Sequence, residues 1–253
     1  MRACDRPFRL LLQMPQLRQL DGMLLSFKAP TIALTLTDLE TPGEVHRAKR
    51  LGVGALEFRI DRFKNLHEDW VLSKIRSFRR LGLPLIATIR SRKEGGGRSL
   101  PDSKRLEIFK KILPLVNVID LELSSTRLRK ALLPLARRRK KRVILSYHNF
   151  RSTPSDAALG RLIQKGKKGK ADLVKIAVTP KRKEELARFL LFTHRNRDQH
   201  LIAVAMGRHG TPSRVLAPLF GSLLTFSFLD RPQAPGQIPL RRLSKELALF
   251  LGK

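Results

Sequence analysis

Asp172-Leu173-Val174-Lys175-Ile176-Ala177-Val178 is a short apolar, β-branched run with one cation at its centre. It predicts a buried strand, and the Thr179-Pro180 pair after it predicts the start of a helix. A lysine there is costly, because an ammonium isolated in apolar surroundings tends to lose its proton instead. A neutral amine is also a nucleophile, able to attack a carbonyl carbon and form a Schiff base. The same run fits an edge strand whose lysine lays its stem along the sheet and keeps its head in water. The surrounding sequence has to choose.

Outward from this strand the same unit recurs: short apolar strand, loop, helix. Strands are predicted at Ile32–Leu36, Ala55–Arg59, Leu85–Ile89, Val118–Leu121, Val143–Tyr147, Leu173–Ala177, Ile202–Ala205 and Leu223–Phe226. Their spacing of about 25–30 residues is that of a βα unit with its return loop. Some eight units in 253 residues predict an α/β fold, a single (β/α)8 TIM barrel over residues 31–253. An open doubly wound sheet usually has fewer strands. Thr41-Pro42, Thr153-Pro154, Thr179-Pro180 and Thr211-Pro212 each follow a strand and predict helix starts, with Thr as cap and Pro in the first turn. Thr41 and Glu44 have the spacing of a capping box. Leu106, Phe109 and Leu113 give the 103–116 segment the apolar stripe of an outer helix.

Strand side chains alternate between the barrel interior and the helices. With Lys175 inward, and polar residues taken as inward elsewhere, the interior receives Ser146 and His148, Glu57 and Arg59, Thr88 and Arg90, and Asp120 and Glu122. The first strand adds Thr35 and the last adds Thr225 and Ser227. The charges gather at the C-terminal ends of the strands, where barrels carry their chemistry. The alternative is a wrong phase, with the charges in rim ion pairs.

Composition bounds the function less tightly. There are 52 Lys+Arg against 21 Asp+Glu, a formal net charge of +31, a field that attracts anions without choosing among them. The basic runs Arg137–Arg142 and Lys165–Lys170 each end a predicted helix just before a strand, on the barrel's bottom, and read as a solvated rim. Nucleic-acid contact is possible there but not favoured, since no known binding module accompanies the charge. The single cysteine, Cys4, excludes an internal disulfide and fits a reducing, cytoplasmic setting. No apolar run reaches the roughly 20 residues of a membrane span. Residues 1–30 read as an N-terminal extension or short hairpin: Leu10-Leu11-Leu12 is too short for a signal core, and Met14 and Met23 are alternative starts. His46, His67, His194, His200 and His209 lack metal-ligand spacing with acids or Cys4.

Six pieces occur in an order that resembles the type I 3-dehydroquinate dehydratases of the shikimate pathway. They are Glu57-Phe58-Arg59-Ile60-Asp61, Thr88-Ile89-Arg90 with Glu94-Gly95-Gly96, Ser146-Tyr147-His148, Val174-Lys175-Ile176-Ala177, Met206-Gly207 with Ser213-Arg214, and Ala234-Pro235-Gly236-Gln237. The resemblance covers roughly residues 30–250 and implies an imine between Lys175 and the ketone of 3-dehydroquinate, with no metal or redox cofactor. It implies His148 as the base and then the acid of the elimination, oriented by Glu94. It also implies Glu57, Arg59 and Arg90, and more weakly Thr35, on the ring hydroxyls. Arg214, in the first turn of a helix capped by Thr211, would bind the carboxylate under a lid that holds Gln233 and Gln237. The family usually has serine where this chain has Gln233, which changes the lid's reach. A homodimer is expected on the same ground. Two other readings share some of these residues: a different lysine-imine barrel enzyme such as an aldolase, and an inactive basic barrel that binds nucleic acid.

Overall fold

The computed structural model describes residues 30–251. The predicted extension, with Cys4, Leu10–Leu12, Met14 and Met23, lies outside the described residues. From residue 31 the chain alternates strand and helix: β1 (Thr31–Leu36), α1 (Pro42–Lys49), β2 (Val53–Arg59), α2 (Glu68–Arg79), β3 (Leu85–Thr88), α3 (Asp102–Ile112), β4 (Val118–Glu122), α4 (Thr126–Arg138) and β5 (Arg142–His148). It continues with α5 (Asp156–Lys168), β6 (Leu173–Val178), α6 (Lys183–Arg195), β7 (Leu201–Ala205), α7 (Ser213–Leu219), β8 (Leu224–Phe228), β9 (Ile238–Pro239) and α8 (Leu240–Leu251).

The strands form one curled parallel sheet in the order β7-β6-β5-β4-β3-β2-β1-β8-β9. β7 and β8 meet at their N-terminal ends, where the Leu223 N–H donates to Leu201 O at 3.0 Å, and on the other side of β8 the β1 residue Thr31 donates its N–H to Leu223 O at 3.2 Å. β9 pairs with the edge of β8 that faces away from β1. The result is the predicted α/β barrel. No helix among the described residues is long and apolar enough to cross a membrane.

Two apolar layers hold it together. Ala33, Ala55, Ile86, Val118, Ile144, Leu173, Ile202 and Leu224 plug the interior at the N-terminal half of the strands. Leu34, Leu56, Phe58, Leu121, Val143 and Leu145 alternate with them and meet the helices. Phe58 and Phe78 join β2 to α2 edge-on, with ring centroids 5.2 Å apart; a side chain of this size contributes about 1.5–3 kcal/mol when fully buried. The polar rank of Glu57, Thr88, Asp120, Ser146 and Lys175 lies above the plug, one pleat further along. Apolar packing below therefore fixes the register that aims the charged residues above.

Two details depart from the sequence reading. In β8 the inward residues are Leu224 and Phe226. Thr225 and Ser227, expected inside, instead hydrogen-bond to Arg214 O and Ile238 O at 2.7 Å each. A hydroxyl satisfied by a backbone carbonyl does not need the polar interior, so polarity misleads the phase there. Of the Thr-Pro starts, only Thr41 caps its helix, within the predicted box: it accepts from Glu44 N while Glu44 reaches back to its N–H. α5 is capped by Ser155, α6 begins after Arg182, and Pro212 rather than Thr211 precedes α7. The extended residue that a proline favours before itself can sit in the loop as well as at the cap, and Thr211 is not extended at all but helical, at φ −49° and ψ −44°.

Candidate active site

The C-terminal ends of the strands surround a cleft of about 560 Å³, part of it open to solvent, lined by Glu57, Arg59, Arg90, Glu94, His148, Lys175, Arg214, Gln233 and Gln237. Nine of the ten expected site residues thus come together. Thr35 does not reach the cleft wall. It is buried beneath Glu57, to which its hydroxyl donates at 3.2 Å.

Lys175 lies inside the barrel, yet its surroundings are ionic rather than apolar. Its Nζ is 3.4 Å from Glu57 Oε1, 3.3 Å from Asp120 Oδ2 and 4.0 Å from the centre of the Phe226 ring. Paired carboxylates and an aromatic face explain how a lysine is tolerated in a buried strand. The expectation of an isolated amine is corrected accordingly.

On the neighbouring strand, Ser146 registers with Lys175 and His148 with Ala177, so His148 is one inward step nearer the mouth. Its Nδ1 lies 3.0 Å from Glu94 Oε2, and its backbone N–H donates to the same oxygen. Ser124 donates to the other carboxylate oxygen at 2.7 Å. A carboxylate facing Nδ1 assigns the ring proton to that nitrogen and leaves Nε2 with a free lone pair. Burial pushes the imidazole well below its ordinary value, and the cations of Arg90 and Lys175 push it further. Burial pushes the Glu94 carboxyl up, against its bond from Ser124 and the nearby Arg90.

The three expected arginines have different partners. Arg90 is held by Asp120 at 2.8 Å and donates to Ser146 Oγ at 2.6 Å, and the carboxylates of Asp120 and Glu122 raise its pKa despite burial. Arg59 is forked onto the fully buried Asp61, which also accepts from the N–H groups of Arg90 and Gly97. Asp61 therefore ties β2, β3 and the Glu94 loop to one another. Arg214 differs: it is buried, and no carboxylate lies within ion-pair distance among the described residues. Its Nη2 donates to Pro235 O at 3.1 Å, and its Nε has no partner. Burial pushes its pKa down to about 10. A guanidinium left unpaired in a cleft is a place for an anion.

Pro235 belongs to the loop between β8 and β9, the predicted lid. Gln237 Oε1 accepts from the N–H groups of Gln233 and Ala234 at 2.6 and 3.1 Å, folding the loop over itself. Gly236 has φ +75°, and a Cβ there would stand 2.8 Å from Gly207 O, so the lid lies against the loop that leads to Arg214. Gln233 Nε2 donates to Arg231 O, within the lid.

Sequence reasoning missed Arg62 and Phe150, which also line the cleft, and Arg105, which is buried beneath it. Arg105 donates to Ile89 O and Glu122 and so anchors the end of β3. The apolar stripe is the one signal α3 carries, and an arginine in such a helix reads as solvent-facing. Among the described residues there is no group of acids, histidines and cysteine arranged for a metal.

The family model described as Type I 3-dehydroquinase matches residues 31–252. This chain belongs to the type I 3-dehydroquinase family. The 3-dehydroquinate dehydratase of Thermodesulfovibrio yellowstonii is 34% identical over 215 residues, covering 84% of this chain and 92% of that protein. The crystal structure of the Aquifex aeolicus enzyme of the same name is 33% identical, with a TM-score of 0.77 over 87% of this chain and 98% of that one. That of Geobacillus kaustophilus is 26% identical, with a TM-score of 0.81 over 89% and 92%. A dihydropteroate synthase from Thermus thermophilus, 12% identical with a TM-score of 0.59, shares the barrel alone.

Proposed function

We propose that this type I 3-dehydroquinase removes water from 3-dehydroquinate through an imine on Lys175, giving 3-dehydroshikimate. The observation that carries the reading is the side-by-side placement of Lys175 and His148 on β6 and β5, with the imidazole backed by Glu94. Lys175 Nζ gives a proton to His148 Nε2 and attacks the ring ketone. The carbonyl oxygen leaves as water once that proton has been returned to it, so the charge stays on nitrogen as a protonated imine. The protonated imine then withdraws electrons from the adjacent carbon. His148 Nε2 takes a proton from that carbon, and the electron pair moves toward the imine nitrogen. As the C–OH bond breaks, the imidazolium returns a proton to the departing hydroxyl, and water hydrolyses the imine to free the lysine. Glu94 holds the ring in its tautomer and supports the transient imidazolium. The covalent group is the protein's own, so the route needs no cofactor.

Arg214 takes the substrate carboxylate, since of the two cleft guanidiniums without an acid partner, Arg62 and Arg214, it is the fully buried one, and the lid strap donating through Gln233 and Gln237 closes over it. Glu57, Arg59 and Arg90 bind the ring hydroxyls, each fixed beforehand by a partner of its own. We assign a homodimer on the family resemblance, testable by light scattering. An assay for the conjugated enone product, comparing wild type with Lys175→Ala and His148→Ala, tests the chemistry. Lys175→Ala should show no turnover above background. His148→Ala should lose about 10²–10⁴-fold in kcat. Full activity in either variant would overturn the assignment.

A further inference from the structure

The end of the barrel opposite the cleft carries a charge that the dehydratase reaction does not use. α4 ends in Arg137 and Arg138, and α5 ends in Lys165, Lys167 and Lys168. The loops into β2, β3, β5 and β6 add Arg50, Arg80, Arg139, Lys140, Lys141 and Lys170, among others, against Asp172. Asp172 is already taken by Arg137 and Arg142, at 2.8 and 3.0 Å. The cations form one surface: Arg137 donates to Lys170 O, and Lys167 reaches Gln199 beyond α5. Lys141 is pushed down by burial first and then by the neighbouring Arg79 and Arg139.

A helix C-terminus favours some positive charge on its own account. The backbone argues for more than that. α1 and α2 are followed by Gly52 and Gly82 at φ +80° and +67°, the left-handed position glycine occupies without penalty. After α4 and α5 that position is held by Lys140 and Lys170, at φ 52° and 58°. Both helix ends close the same way: Lys141 N–H donates to Ala136 O and Ala171 N–H to Gly166 O. An L side chain adopts this conformation at a cost, so two lysines sit where glycine would be more stable. None of the exposed large apolar residues, Leu39, Trp70, Phe150, Leu191, Leu249 and Phe250, lies on α4, α5 or the loops into β5 and β6.

We propose that the face built from the C-terminal ends of α4 and α5 and the loops into β5 and β6 binds the phosphate backbone of double-stranded nucleic acid. A membrane surface would call for apolar anchors, and a single strand for aromatic stacking platforms; this face has neither. A second copy of the same face would be repelled. A sequence-tolerant row of phosphates fits what is there.

The test uses the full chain and a 20-base-pair DNA duplex of arbitrary sequence, titrated at several salt concentrations. The double variant Lys140→Gly/Lys170→Gly removes two cations and relieves both left-handed positions. It should bind the duplex about tenfold or more weakly, with a salt slope smaller by about 2. Its melting temperature should be equal or higher and its dehydratase activity unchanged. The control Lys181→Gln/Lys183→Gln removes equal charge from the opposite end of the barrel and should bind like wild type. Equal weakening in the control, unchanged binding in the glycine variant, or tighter binding to single strands or phosphatidylserine vesicles would each overturn the proposal.

Discussion

Burial removes the water that would stabilise a charge on His148, and the cations of Arg90 and Lys175 add to this, against the carboxylate of Asp120. Nε2 therefore stays unprotonated to well below the ordinary value of 6.5. On acidification, kcat/KM should persist past pH 6.5 and fall only at lower pH, as a pH–rate profile would show; an acid limb at or above 6.5 would contradict this. Stability follows the same sign. Below about 6.5 the unfolded chain takes up a proton that native His148 refuses, so the melting temperature should drop across that window, less so in His148→Ala. In the proposed function Arg214 makes the opposite exchange, an unpaired buried guanidinium that would serve binding at the expense of folding. Arg214→Met should lower kcat/KM by about 10²–10³-fold, from the roughly 2–5 kcal/mol of a truncated charge pair. It should leave the melting temperature equal or higher. A marked loss of stability would mean that Arg214 holds the fold rather than the ligand.

The lid and the first helix differ as elements. Gly236 has a positive φ and no room for a Cβ beside Gly207 O, so Gly236→Ala should unseat the strap at a strain of about 1–3 kcal/mol. KM should rise by roughly tenfold while the melting temperature barely moves, because the strap covers the cleft without packing the core. Thr41→Ala should do the reverse, costing about 1 kcal/mol of cap energy and leaving the kinetics alone. Elements were legible in the sequence where one physical demand dominated. An apolar β-branched run bounded by turns marks β6 from either side, Leu173–Ala177 expected and Leu173–Val178 found. Where two demands compete, as at Thr225 between a polar interior and a carbonyl on α7, residue type alone does not decide. Arg105 was illegible for a related reason: its partners, Ile89 O and Glu122, come from strands that only the fold brings to α3.

At the scale of the molecule, the apolar plug in the lower barrel separates two charged ends. One is a cleft where most cations have a buried acid, and the other is a face where many have none. Arg90, Asp120, Lys175 and Glu57 neutralise one another closely enough that only Arg214 and the less buried Arg62 are left without an acid among the described cleft residues, so the net charge of +31 falls mainly outside the chemistry. Higher salt should consequently leave kcat nearly unchanged, since charges this buried are poorly screened. The central claim is that Lys175 carries the substrate covalently. Borohydride reduction during turnover of 3-dehydroquinate, followed by peptide mass mapping, tests it most directly. The account predicts a reduced adduct on the peptide containing Lys175, and in His148→Ala an adduct heavier by the water not yet eliminated. No adduct, or an adduct on any other lysine, would contradict it.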